Sequence, residues 1–283
     1  MRLARHGLVD HEVPILDPGD GVWRDLRPLT KEIDASFLMR GMQSLSEVLE
    51  IDALPSVDLP LSRLGPPLVG IGKIICIGLN YADHAREAGV EIPAEPVMFL
   101  KTPDTVIGPN DQVLIPRKSV KTDWEVELAV IIGDKARYLS SPADGLAHVA
   151  GYTISHDVSE REFQLERSGQ WDKGKNCETF NPLGPWIVDA ASVPDPQNLE
   201  LKLWVNGTLR QESTTKDMIF GVGYLIWYLS QFLVLRPGDV INTGTPAGVA
   251  LGRPDHPYLR RGDIVELEIG GGLGRQRQVF GAA

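Results

Sequence analysis

Glu125 and Glu127 stand two apart in Thr122-Asp123-Trp124-Glu125-Val126-Glu127-Leu128-Ala129-Val130-Ile131-Ile132-Gly133, where the second half is continuously apolar and Gly133-Asp134 closes the run as a turn. Such a stretch reads as a strand. Residues two apart on a strand share a face, so the two carboxylates lie side by side while Val126 and Leu128 point the other way, into a core. Like charges held this close repel unless something positive sits between them. A hard divalent cation (Mg²⁺, Mn²⁺ or Ca²⁺) is suited to that place, because it takes carboxylate oxygens. A solvated acidic edge strand would carry the same Glu-x-Glu, so the metal reading needs a third ligand and a reactive partner elsewhere.

Candidates for both exist. Val149-Ala150-Gly151-Tyr152-Thr153-Ile154-Ser155-His156-Asp157 reads as a strand that ends on a carboxylate, the candidate third ligand. Upstream, the buried strand Ile74-Ile75-Cys76-Ile77-Gly78 runs into Leu79-Asn80-Tyr81-Ala82-Asp83-His84-Ala85-Arg86-Glu87-Ala88-Gly89, whose latter half suits a short helix ended by Gly89. On that helix His84 and Glu87 are i and i+3, neighbours on one face. A carboxylate beside an imidazole fixes its tautomer and supports its protonated form, which a general base activating water requires. An incidental surface pair would look the same.

Three further segments offer groups to a substrate. Residues 158–165 suit a helix with Ser159 as N-cap, and Asp157, Arg161 and Gln164 then line one face by steps of four and three. Residues 169–180 are polar and contain glycine, so they read as a loop in which Lys175 could meet an anion or simply face water. Thr243-Gly244-Thr245-Pro246-Ala247-Gly248 follows a short strand and offers N–H groups and hydroxyls to an oxyanion or carboxylate.

The elements that must hold these groups are mostly strands. Twenty-nine glycines and 21 prolines in 283 residues argue for many short strands and turns rather than a helical bundle. Residues 1–65 carry no catalytic motif and read as a small N-terminal domain or arm. Ile33, Phe37, Leu38, Met42 and Leu45 give residues 30–49 a helical period. The Pro- and Gly-containing link at 64–70 separates that piece from residues 66–283. Asn206-Gly207 signals a type I′ hairpin, and residues 217–235 are apolar nearly all round, as a buried helix would be.

A net charge of −10 argues against nucleic acid or an anionic membrane as the main partner, so an anionic substrate would need a local positive site. Cys76 and Cys177 lack metal spacing and suit reduced packing residues of a cytoplasmic protein. The start of the chain has no apolar targeting core, and no stretch is long enough for a membrane span. A P-loop, a dinucleotide fingerprint, His-Glu-x-x-His and Gly-x-Ser-x-Gly are all absent.

In their fixed order, five motifs resemble the fumarylacetoacetate hydrolase superfamily: Gly78-Leu79-Asn80-Tyr81-Ala82-Asp83-His84, Asp123-Trp124-Glu125-Val126-Glu127-Leu128, Gly151-Tyr152-Thr153-Ile154-Ser155-His156-Asp157, Gly174-Lys175 and Thr243-Gly244-Thr245-Pro246. The resemblance runs from Lys73 to the C-terminus. It implies an α+β, predominantly mixed-β fold, with a β-roll or β-sandwich catalytic domain and a small N-terminal domain, in a homodimer. It also implies Mg²⁺ or Mn²⁺ held by Glu125, Glu127 and Asp157, and a water-activating dyad of His84 and Glu87. Lys175 would act in catalysis, and Tyr81, Arg161, Gln164 and Thr245 would hold the substrate's carboxylate and oxo groups. Where members of the family often follow this lysine with serine, the chain has Asn176-Cys177. The expected reaction is hydrolysis of the C–C bond of a small anionic 2,4-dioxo acid, an acylpyruvate or a 2,4-dioxo-3-deoxy sugar acid, to pyruvate and a carboxylic acid. Oxaloacetate decarboxylation and isomerisation of a 2-hydroxy-dienoate would use the same metal site. A protein that senses a dioxo acid without turnover is the reading from a different class.

Overall fold

The structure, a computed structural model, describes residues 1–39, 51–58, 61–87 and 89–283. Among them the chain forms seventeen strands and five short α-helices. The strands are β1 Arg2–His6, β2 Val13–Asp17, β3 Arg24–Asp25, β4 Ile74–Gly78, β5 Val97–Lys101, β6 Val106–Ile107, β7 Val113–Ile115, β8 Thr122–Asp123 and β9 Val126–Ile132. They continue as β10 Val149–His156, β11 Ser159–Glu160, β12 Asn181–Asp189, β13 Glu200–Val205, β14 Thr208–Thr214, β15 Val240–Asn242, β16 Ile264–Ile269 and β17 Gly274–Ala282. The helices are α1 Ala35–Met39, α2 Ala82–Glu87, α3 Arg161–Leu165, α4 Asp172–Lys175 and α5 Val222–Ser230. This is the α+β, predominantly mixed-β architecture that the motif resemblance implies, built from the many short strands and turns expected of the glycine and proline content.

A ten-stranded mixed sheet runs β3-β2-β1-β12-β10-β9-β15-β4-β5, with β6 attached to β12. A five-stranded sheet, β14-β13-β16-β17-β7, packs against it. Strand β9 shows why the apolar run is continuous: alternate residues serve two cores. Val126, Leu128, Val130 and Ile132 join the inter-sheet core with Leu203, Leu267 and α5, while Ala129 and Ile131 face a second core with Leu16, Phe37 and Leu183. A strand covered on both faces has no polar face to show in its sequence.

Residues 1–25 supply β1 to β3, which extend the large sheet beyond β12. The helix expected over residues 30–49 is described only as α1, whose Phe37 and Leu38 are buried; Met42 and Leu45 lie outside the described residues. The type I′ signal is met: Asn206 and Gly207 take φ of 50° and 75° between β13 and β14. The buried helix expected over 217–235 is the shorter α5.

Topology gathers the chemistry. β4 and β15 are parallel neighbours, β9 is antiparallel to β15, and β10 is antiparallel to β9. The C-terminal ends of β4, β15 and β10 and the N-terminal end of β9 therefore meet at one end of the sheet. From those ends emerge His84, Thr245, Asp157 and the two glutamates.

Two buried glutamines on β17 tie the sheets together. Gln276 Nε2 donates to the carbonyls of Ile154 and Gly184 at 2.9 Å each, and Gln278 Oε1 meets His156 Nδ1 at 3.0 Å. Burial, only partly opposed by the Gln278 contact, pushes the His156 pKa down to about 3. Below its ordinary 6.5 the unfolded chain takes a proton that the folded chain refuses until about pH 3, so stability falls as pH drops through that window. Urea unfolding should show His156→Gln losing stability less steeply than the parent between about pH 6 and 4, by up to about 1.4 kcal/mol per pH unit. Parallel profiles would show that His156 is not the group responsible.

Candidate active site

Glu125, Glu127 and Asp157 are all buried, and each offers an oxygen within 4.8 Å of the others. Their backbones are fixed to one another: the Asp157 N–H donates to the Glu125 carbonyl at 3.1 Å, with β9 paired to β10 on one side of that contact and β8 to β11 on the other. The single strand expected through Thr122–Gly133 is thus two, β8 and β9, interrupted at Trp124 and Glu125. The Asp157–Glu125 contact keeps the register of the ladder; the strand lapses where the Trp124 and Val126 N–H groups donate to the side chains of Asp123 and Gln211 at 2.8 and 3.0 Å instead of to the neighbouring strand. The pairing of β11 with β8 corrects the helix start: Ser159 belongs to β11, and Glu160 caps α3 by accepting from the Glu162 N–H.

Three buried cations face these carboxylates. Lys175 Nζ donates to Glu125 Oε2 at 2.7 Å and to Asp157 Oδ2 at 2.8 Å. Arg161 donates through Nε to Asp123 Oδ2 at 2.8 Å, and its Nη2 lies 2.7 Å from Glu125 Oε1 in an ion pair without good hydrogen-bond angles. Lys101 Nζ is bonded to Asp157 and donates to the Phe180 carbonyl at 2.7 Å. Burial alone would raise the Glu125 carboxyl, but Lys175 and Arg161 overcome it and hold that group well below the usual range. Glu127 has no such partner. Burial and the neighbouring Asp157 and Glu125 charges push it well above the ordinary carboxyl value, against the Lys175 charge and one hydrogen bond from the Gly244 N–H at 2.8 Å. A buried acid pushed up by two others, in an all-oxygen set, fits a hard divalent cation.

Across from this cluster, His84 Nδ1 lies 3.2 Å from Glu87 Oε2. Glu87 is itself fixed, accepting from the Gly248 N–H at 3.0 and 3.1 Å. A Cβ on Gly252 would sit 2.1 Å from the Glu87 side chain, so this loop must be bare to close over it. Gly244 takes φ of +100° and approaches Asn80 and the Ile77 carbonyl too closely for any side chain. Thr245 Oγ1 donates to the Val126 carbonyl at 3.0 Å and accepts from Gln211 Nε2 at 2.8 Å.

A cavity of about 360 Å³ lies between the two groups. His84, Glu87, Glu125, Glu127, Arg161, Gln164, Lys175 and Thr245 all reach its wall. Asp157 stands behind Lys175. Tyr81 does not line the cavity; it is buried with its hydroxyl unpaired, and burial followed by the Glu127 charge pushes the phenol well above its ordinary range. The segment expected as a loop carries Lys175 on α4, which Asn176 latches to β5 by accepting from the Thr102 N–H at 2.5 Å and donating to the Leu100 carbonyl at 3.0 Å.

Sequence reading missed Lys101 and Asp123. The alternation of β5 gave a signal: Lys101 shares the buried face with Phe99, an ionisable group where a hydrophobe belongs. Asp123 accepts from Arg161 and from the N–H groups of Ala250 and Leu251 at 2.7 and 3.0 Å, contacts that no local pattern announces.

The chain matches the fumarylacetoacetate (FAA) hydrolase C-terminal family over residues 73–280. A protein of Burkholderia multivorans whose name goes no further than hydrolase is 47% identical over 288 aligned residues, 100% of each chain. The fumarylacetoacetate hydrolase of Exiguobacterium antarcticum superposes with a TM-score of 0.88 at 33% identity over 100% of both chains. The 5-carboxymethyl-2-hydroxymuconate delta-isomerase of Mycobacterium smegmatis gives 0.77 at 33% identity, over 100% of this chain and 99% of that one.

An acid whose folded pKa is raised stabilises the fold below its ordinary 4.5 and loses that contribution as pH rises through the folded value. Metal-free protein should therefore melt lower as the pH is raised, and Glu127→Gln should flatten that decline. Mg²⁺ at about 100-fold its Kd should add about 2.7 kcal/mol, roughly 5–10 °C, to the parent and much less to Glu127→Gln. Thermal melts with Mg²⁺ and with EDTA check this; equal shifts in both proteins would remove Glu127 from the ligand set.

Proposed function

Because the chain belongs to the fumarylacetoacetate hydrolase family, as its motif order implied, we propose that it hydrolyses the C–C bond of a 2,4-dioxo acid, R-CO-CH₂-CO-COO⁻. The products are pyruvate and the carboxylic acid R-COOH. One observation carries the reading: an imidazole–carboxylate dyad and a buried acid cluster with its cations line the same cavity.

Glu125, Glu127 and Asp157 would hold a divalent cation, which would supply Lewis acidity at the dioxo-acid end of the substrate. His84, oriented by Glu87, takes a proton from water as the oxygen attacks the C4 carbonyl. The C3–C4 bond then breaks, its electron pair passing to the pyruvate enolate, and the proton returned by His84 completes pyruvate at C3. Lys175, fixed by Glu125 and Asp157, holds its positive charge where the enolate oxygen develops. Arg161 and Gln164, joined at 3.0 Å, turn toward the substrate carboxylate from one face of α3.

The isomerase reading draws on the Mycobacterium smegmatis neighbour. It needs a proton shuttle but no attacking water, and its product keeps the mass of the substrate; oxaloacetate decarboxylation likewise needs no water. Pyruvate-coupled assays on acetylpyruvate and oxaloacetate, with Mg²⁺ and with EDTA and with mass detection of the acid product, separate the three. His84→Ala should lower hydrolysis by about 10²–10⁴-fold while keeping the Mg²⁺-dependent rise in melting temperature. Equal loss of both would overturn the role of His84, and pyruvate from oxaloacetate alone would replace the hydrolase with a decarboxylase.

A further inference from the structure

The polar side chains of the cavity wall serve one end of the proposed substrate, and the remainder of the wall is carbon. Leu79, Val90, Leu165, Trp171 and Leu251 line it with Phe99. Val90 is 45% exposed and Leu165 42% exposed, large apolar groups left in water at the mouth of a polar site. Leu79 reaches this wall from a backbone φ of +55°, a conformation leucine rarely adopts. Gly78 leaves room for Trp171, whose ring would lie 2.5 Å from a Cβ there, and Trp171 meets Phe99 edge-on at 5.7 Å.

Among the described residues lining the cavity, no further cation is left for the far end of a substrate. Arg161 and Lys175 are the cations among the described lining residues, and both stand at the acid cluster, paired with Asp123, Glu125 and Asp157, where the proposed reaction uses them at the dioxo-acid end. The Thr245 hydroxyl is engaged as donor and acceptor, and the His84–Glu87 pair is closed on itself and on Gly248. Arg161, Gln164 and Leu165 stand at i, i+3 and i+4 on α3, so one helical turn presents a carboxylate-binding pair and an apolar group to the same space.

We propose that the acyl half of the substrate is an uncharged, carbon-rich group seated on Leu79, Val90, Leu165, Trp171 and Leu251. The site then selects monocarboxylic dioxo acids over those whose tail ends in a second carboxylate or bears a row of hydroxyls. The inference rests on the dioxo-acid reading of the site and narrows it. Burying an ionised carboxylate without a partner is far costlier than burying a methyl group, and each added methylene against carbon is favourable.

Two 2-oxo acids of equal length isolate the wall from the reaction. In calorimetry with Mg²⁺, 2-oxooctanoate should bind at least about tenfold more tightly than 2-oxosuberate, and Leu165→Arg should shrink or reverse that ratio. Equal binding by the parent, tighter binding of the diacid, or an unchanged ratio in a folded Leu165→Arg would overturn the proposal. In turnover, kcat/KM should rise about three- to fourfold per methylene from acetylpyruvate toward hexanoylpyruvate. Dioxo acids hydrolysed equally well whatever their tail would overturn the apolar wall and leave the reaction standing. Discrimination between the two 2-oxo acids with no dioxo acid turned over would overturn the reaction and leave the wall standing.

Discussion

Everything about this end of the sheet follows from burying three carboxylates within 4.8 Å of one another. Each ionised group taken out of water costs several kcal/mol, and the mutual repulsion adds to it. The fold can hold them only by bringing cations to the same point. It draws Lys101 from β5, Arg161 from α3 and Lys175 from α4, elements from separate parts of the chain. Four buried carboxylates, counting Asp123, meet these three cations, and Glu127 is the member without a direct counter-charge. The imbalance prepares the place for a further cation.

The dyad answers a different constraint. His84 sits beyond β4, and β4 meets β9 only through β15, so the distance between base and acid cluster is set by sheet order. Orientation comes from the loop after β15, which spends the Gly244 N–H on Glu127 and the Gly248 N–H on Glu87. One glycine-rich loop thereby touches both halves of the chemistry. Gln211 of the second sheet holds it from behind, through Thr245 and the Pro246 carbonyl. The smaller sheet is thus part of the site although none of its residues lines the cavity.

The parts that were legible in the sequence are those written in local spacing. His84 and Glu87 at three and Arg161 and Gln164 at three each describe one helix, and those spacings survive. Glu125 and Glu127 still converge although Glu125 falls in the break before β9, and Asp157 reaches the site from ahead of β11 rather than from the helix of Arg161. What could not be read is set by contacts distant in the chain. Lys101 meets Asp157 across 56 residues, and Ala250 meets Asp123 across 127. The expected strand is interrupted where the Trp124 and Val126 N–H groups turn to the side chains of Asp123 and Gln211, and the pairing of β11 with β8 moved the α3 cap from Ser159 to Glu160, because a tertiary pairing outweighs a local capping preference. Lys175 in a polar segment looks like surface, since the carboxylates that justify its burial lie 18 and 50 residues away.

Asp123 shows how the polar and apolar halves of the cavity are coupled. Its carboxylate accepts from Arg161 on one side and from Ala250 and Leu251 on the other. The same group that aims a guanidinium toward the acid end of the cavity therefore fixes the backbone that carries Leu251 to its carbon wall. Trp124, next in the chain, repeats the link by donating to the Gly248 carbonyl at 3.1 Å, on the residue whose N–H holds Glu87. A change in the loop at 248–251 cannot then alter the hydrophobic seat alone; it also shifts Arg161 through Asp123 and Glu87 through Gly248. The carbon wall and the charged wall are cut from one rigid piece, so selection of the substrate's tail and alignment of its carboxylate are properties of the same set of hydrogen bonds.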